Sequence, residues 1–157
     1  MTPVANYSVL AVALCLAAAS GQSPVQVSAA QEAGSYKPSL GDLMATVQLR
    51  HSKLWYAASL GNWTLAHYEL EQLISNLRQV RELYPDVPAS DLIETDRLTV
   101  ALESAIGAKD KAEFEASFDR LTDECNACHR KADRGFITMR RPALPSPYSN
   151  QLFAPAQ

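Results

Sequence analysis

The segment C-N-A-C-H, Cys125 to His129, concentrates two thiols and an imidazole within five residues. These residue types at this spacing support three chemistries. A C-x-x-C pair forms a redox disulfide, usually at the end of a strand in a βαβ unit. Cysteine and histidine together bind zinc, which takes four ligands in a structural site. C-x-x-C-H is also the attachment signature of c-type haem: two thiols become thioethers on the vinyl groups, and the histidine ligates iron. Nothing around Cys125 alternates like a strand, and beyond His129 only His51 and His67 remain as nitrogen donors for zinc. The expectation is therefore one covalent haem c, held by Cys125, Cys128 and His129.

Such a site needs elements to hold it, and the chain before it reads as helix throughout. Leu40, Met44, Val47, His51, Leu54 and Ala58 recur at spacings of three and four, which draws one stripe on a helix over about Leu40–Leu60. Gly61 suits a left-handed C-cap and Asn62 a following N-cap. A second helix carries Ala66, Leu70, Leu73, Leu77, Val80 and Tyr84 inward until Pro85 and Pro88 break it. The third, about Asp91–Ile106, turns Leu92, Leu98, Leu102 and Ala105 inward and stops at Gly107. Asp110 and Glu113 have capping-box spacing at the head of a fourth. Its stripe of Phe114, Phe118, Leu121, Cys125, Cys128 and Ala132 runs into the motif and closes at Gly135. Short turns between four amphipathic helices predict an all-α, antiparallel up-down-up-down four-helix bundle with crossing angles of roughly 20°. The end of the fourth helix would then face the start of the first, near Met44.

Composition is consistent with this. A chain of 157 residues, 47% hydrophobic and 20% charged, has enough apolar mass for one core. A net charge of -3 excludes the basic balance of a nucleic-acid binder. Val9 to Ala19 has the length of a signal-peptide apolar region, followed by small residues, although no Lys or Arg precedes Lys37. Residues 1–30 are read as a signal peptide cleaved after Ala30, with Cys15 lost on cleavage, since Leu14 is too bulky for a lipobox. No later apolar run is long enough to span a membrane. Residues 31–38 follow as a linker, 39–135 as the haem-binding domain and 136–157 as a Pro-rich, extended C-terminal tail.

A four-helix bundle with C-x-x-C-H near its end resembles the class II cytochromes c, the group of cytochrome c′ and its low-spin relatives. The resemblance covers about residues 38–135 and is carried by Cys125, Cys128 and His129. It implies covalent haem, a periplasmic location and often a homodimer. It also implies two versions of the distal side: a methionine from the first helix, or an open face that binds gases such as nitric oxide. Met44 stands where the low-spin members place that methionine. His51, two turns further along the same stripe and roughly 10 Å away, is the alternative distal ligand, and one iron takes only one of them. Methionine would raise the reduction potential relative to a second histidine. The simpler readings are that Met44 fills core space and that His51 is a hydrogen-bonded core histidine.

Among the remaining candidates, His67 reads as a surface histidine. Trp55, Tyr56, Trp63 and Tyr68 gather near the first turn and suit either core packing or a dimer face. Arg50 and Lys53 suit a haem propionate or a solvated face. Arg130, Lys131, Arg134, Arg140 and Arg141, against one acid, Asp133, suit either steering of anionic redox partners or local charge balance. Tyr148, Leu152 and Phe153 are poor choices for a wholly solvated tail. The expected function is a periplasmic electron carrier between redox-partner proteins, not an enzyme, because no nucleophile constellation or open metal site with a convergent base is present. A gas-binding protein and a haem subunit of a larger oxidoreductase are the alternatives.

Overall fold

The computed structural model describes residues 36–87 and 89–155, with only the backbone of 89–92. The expected signal peptide, Cys15, most of the linker, Pro88 and the Leu92 side chain lie outside the described residues. The fold is an all-α bundle of four helices: α1 Leu40–Ser59, α2 Trp63–Leu83, α3 Ala89–Ala108 and α4 Lys111–Lys131. No helix among the described residues is long and apolar enough to cross a membrane.

Local chemistry sets the starts. Ser39, Asn62 and Asp110 each accept the amide N–H three residues on, at 3.0–3.1 Å, which satisfies one of the donors a helix start leaves open. At α4 the box is half-made. Asp110 caps Glu113, but the Glu113 carboxylate turns to Ser117 and Arg120 instead of back to Asp110.

The ends are less simply encoded. After α1, the Asn62 amide reaches back to the Ala57 carbonyl and the Gly61 amide to Ala58, with Gly61 at φ 77°. This is a Schellman closure with glycine in the left-handed position. The same pair of bonds closes α3 (Asp110 to Ala105, Lys109 to Ile106) and α4 (Arg134 to His129, Asp133 to Arg130). There the left-handed residues are Lys109 and Asp133, both at φ 55°. The glycine stops expected from the sequence are thus displaced by two residues. Gly107 lies inside α3 and Gly135 beyond the α4 cap, and side-chain-bearing residues take the strained backbone.

Contacts at the helix ends give the directions. The Tyr84 hydroxyl donates to the Pro38 carbonyl at 2.7 Å, setting the end of α2 beside the start of α1. Arg81 pairs with Asp96 at 2.7 Å across α2 and α3, and Lys111 at the head of α4 reaches Ser59 at the end of α1. The core between them is aromatic at one end, where Trp55, Trp63, Phe114 and Phe118 pack with ring centroids 5.1–6.2 Å apart. Leu54, Leu70, Leu73, Leu102 and Leu121 fill the rest.

α1 departs from a one-sided stripe: Leu54, Trp55, Tyr56, Ala57 and Ala58 are all buried. Five consecutive residues cannot share one helix face, so a second layer must cover the other side. That layer is the tail. Arg141 stacks 4.5 Å from the Trp55 ring and forks onto Asp119 of α4. The Tyr56 hydroxyl donates to the Ala143 carbonyl, Tyr56 packs against Tyr148 and Phe153, and Asn62 holds the Ala154 carbonyl. Phe153 is buried while its neighbour Leu152 is exposed. Trp55 and Tyr56 are therefore covered within the chain itself, and Arg141 fixes the tail to the bundle.

Between α1 and α2, Arg50 turns inward to pair with the buried Glu69 at 3.0 Å, and Lys53 lies over the Tyr148 ring. Of the two readings offered by the sequence, a haem propionate or a solvated face, the second does not describe Arg50, which is engaged with Glu69. Removing one partner of a buried pair leaves a charge without compensation. Arg50→Ala is expected to lower unfolding free energy by about 3 kcal/mol, measured by urea denaturation, with Arg50→Ala/Glu69→Leu recovering most of it. A loss below about 1 kcal/mol for the single variant would contradict a structural role for the pair.

Candidate haem site

The motif occupies the last two turns of α4. Cys125 and Cys128 are one turn apart, both half-buried, and neither is in a disulfide. Cys125 packs against the core cluster. Burial, with smaller contributions from Cys128 and Glu124, pushes its thiol up to about 12. A thiol so far from ionisation is the opposite of the low-pKa cysteine that thiol–disulfide exchange uses. No group of three or more His, Cys, Asp or Glu side chains converges among the described residues, so the zinc alternative finds no ligand set there.

His129 is oriented by the chain that follows it. The Schellman closure at Asp133 reverses the backbone, and the His129 Nδ1–H donates to the Ile137 carbonyl at 2.8 Å. A carbonyl only accepts, so Nδ1 carries the proton and Nε2 keeps its lone pair. This is the division of roles that a metal-ligating imidazole needs. A second clamp holds the same segment. Asn126, inside the motif, donates through Nδ2 to the Met139 carbonyl at 3.0 Å and accepts the Met139 amide at 2.7 Å. Asn126 and the Ile137 carbonyl were not among the residues singled out from the sequence. A polar residue between the two cysteines was the one available signal.

The distal candidates are placed by helix register. His51 Nε2 lies 2.9 Å from Thr122 Oγ1, and Trp55 packs on Phe118, so these levels of α1 and α4 face each other. Seven residues back along α1 is Met44, and seven on along α4 is His129. Each step spans about 10 Å in opposite chain directions. Met44, half-buried, thus stands level with His129, while His51 stands short of Cys125.

His51 is committed elsewhere. It is 1% exposed, and its ring lies 4.3 Å from that of Phe118. The Thr122 hydroxyl donates to the Phe118 carbonyl at 2.8 Å, so His51 Nε2 is assigned as the donor to Thr122. Its Nδ1 has no partner. With Gln48, Ser52, Thr138, Met139 and Pro142, His51 lines a cavity of about 220 Å³ between α1 and the tail. His67 is exposed and sits 3.6 Å from Glu71, as a surface histidine should.

The donor set fits haem c: two thiols one turn apart and outside any disulfide, an imidazole with Nε2 left available, and a thioether level with it. Contact between α1 and α4 is also the sparsest of the neighbouring helix pairs. Compared with protein-family models, curated proteins and solved structures, this chain matches none.

Burial alone lowers His51 from its ordinary 6.5 to about 4. Between those values the unfolded chain binds a proton that the folded chain does not, so stability falls as pH drops from 6.5 towards 4. His51→Gln is expected to remove about 3 kcal/mol of that acid-side loss. The measurement is the difference between wild-type and variant unfolding free energies from pH 7 to 4. A difference flat across this interval would contradict a buried neutral His51.

Proposed function

We propose that this chain is an exported c-type cytochrome carrying single electrons between redox-partner proteins in the periplasm. The observation that carries the reading is the orientation of His129: its Nδ1–H donates to the Ile137 carbonyl, which leaves the Nε2 lone pair available beside two thiols one turn apart. Cys125 and Cys128 would hold the porphyrin as thioethers, His129 would be the proximal ligand and Met44 the distal one. Haem c supplies an iron that passes between ferric and ferrous states.

The chain's own residues do the tuning. The Ile137 carbonyl makes His129 a better donor, as hydrogen-bonded second partners do for ligating imidazoles. Asn126 and the α4 closure keep that carbonyl in place. The apolar packing of Phe118, Leu121 and Cys125 limits water near the site. A thioether ligand from Met44 would favour the reduced state relative to a second imidazole. Met44 over His51 follows from register, since His51 is already engaged with Thr122.

Visible spectroscopy of the holoprotein tests this. The wild type is expected to be six-coordinate and low-spin in both oxidation states. Met44→Ala is expected to become high-spin in its reduced form with a lower potential, and His51→Ala is expected to stay low-spin. A high-spin wild type would favour the gas-binding alternative. Loss of the low-spin spectrum only in His51→Ala would transfer the distal role to His51.

A further inference from the structure

We propose that the cavity between α1 and the tail is a binding site for a small α-hydroxycarboxylate, whose hydroxyl donates to His51 and whose carboxylate is held by Arg140. The site uses none of the residues assigned to hold haem, so this inference stands apart from the reading above. The cavity measures about 220 Å³, with His51 as its one fully buried residue and Ser52, Thr138, Met139, Arg140 and Pro142 around it. A cavity of about 150 Å³ holds a benzene ring, so this one takes a molecule the size of lactate.

His51 dictates one end of the ligand. The Thr122 hydroxyl donates its single proton to the Phe118 carbonyl, so His51 Nε2 carries the ring proton and Nδ1 is a bare lone pair. Burial lowers this histidine to about 4 and so keeps the ring neutral near pH 7. The residue is 1% exposed, and Nδ1 accepts no hydrogen bond from the protein. A buried acceptor left in that state is costly. What relieves it must bring a hydrogen.

Arg140 dictates the other end. Its neighbour Arg141 is taken by Asp119 and Glu115 and stacks on Trp55, whereas Arg140 makes no ion pair among the described residues. A water molecule would answer the acceptor and leave the cation. An α-hydroxycarboxylate answers both, because its hydroxyl and its carboxylate sit on adjacent carbons and a guanidinium forks onto carboxylate oxygens. Met139 and Pro142 give the carbon skeleton an apolar wall, and Thr138 adds a hydroxyl.

The wall is held in place before any ligand arrives. Asn126 clamps the Met139 backbone with two hydrogen bonds, and Asp119 holds Arg141, so the chain is fixed on both sides of Arg140. Small-molecule sites are usually preformed in this way, with a few polar groups converging on one space. The larger cleft, about 310 Å³ beside Trp63, His67 and Lys109, lacks the deciding feature. None of its lining residues is among those with a buried, partnerless side-chain atom.

The test titrates the mature protein, as purified and under reducing conditions, with lactate, propionate and lactamide. Propionate is lactate without the hydroxyl, and lactamide is lactate without the charge. Calorimetry is expected to show one lactate bound per chain, with propionate and lactamide each weaker by about tenfold or more. Lactate is also expected to shift the nitrogen-15 resonance of His51 Nδ1. Arg140→Gln, at an exposed position, is expected to weaken lactate to the level of lactamide. Lys111→Gln, the same charge change at the far end of α4, is expected to leave lactate binding unchanged. Absence of lactate binding would overturn the proposal, as would propionate binding as tightly as lactate or equal effects of the two variants. None of these readouts depends on colour, so their failure is distinct from failure of the haem reading, which the visible spectrum decides.

Discussion

One hydrogen bond, from His129 Nδ1–H to the Ile137 carbonyl, orients the imidazole of the motif. Without it the imidazole at the end of α4 could present either nitrogen and rotate freely. With it the tautomer is assigned, the ring is held, and the remaining lone pair belongs to the nitrogen remote from the backbone. The bond exists because α4 ends in a tight reversal at Asp133 and because Asn126 grips the same returning segment at Met139. His129, the helix closure and the first residues of the tail form one unit, so a change in any of them reaches the imidazole.

The tail also accounts for the shape of the bundle. α1 is buried on more than the face it turns to α2 because residues after 137 run back along α4 and then cover Trp55 and Tyr56. Trp55 and Tyr56, part of the aromatic group that the sequence offers to core packing or to a dimer face, are covered within one chain, while Tyr68 of the same group stays exposed. Against this covered end, the opposite end of the α1–α4 seam holds Met44 level with His129. The middle is occupied by His51, whose neutral, hydrogen-bonded state spaces the two ends. Burial pushes His51 down and Cys125 up for one physical reason: both lose the solvation of their charged forms.

The helices were legible because their starts and inward faces are written locally. Ser39, Asn62 and Asp110 supply caps, and apolar residues at three- and four-residue spacing supply one face each. The helix ends were legible only where glycine marks the left-handed residue, as at Gly61. Lys109 and Asp133 occupy the same conformation without that signal, because the paired closing hydrogen bonds outweigh the strain of a side chain there. The path of the tail was not legible, since a proline-rich segment has no periodicity to indicate a face. The thiols and His129 were legible as a motif, and the orientation of His129 was not, because its partner is a main-chain carbonyl. Arg50 reads from sequence as a partner for a haem propionate or as a solvated cation, and only the fold brings the buried Glu69 of α2 beside it.

Intact mass spectrometry of the exported protein, produced alongside a cytochrome c maturation system, tests the central claim most directly. The expected result is the mass of the processed chain plus one haem, retained after unfolding and traced by proteolysis to the peptide containing Cys125 and Cys128. A chain mass without porphyrin, with both thiols open to alkylation, would contradict it.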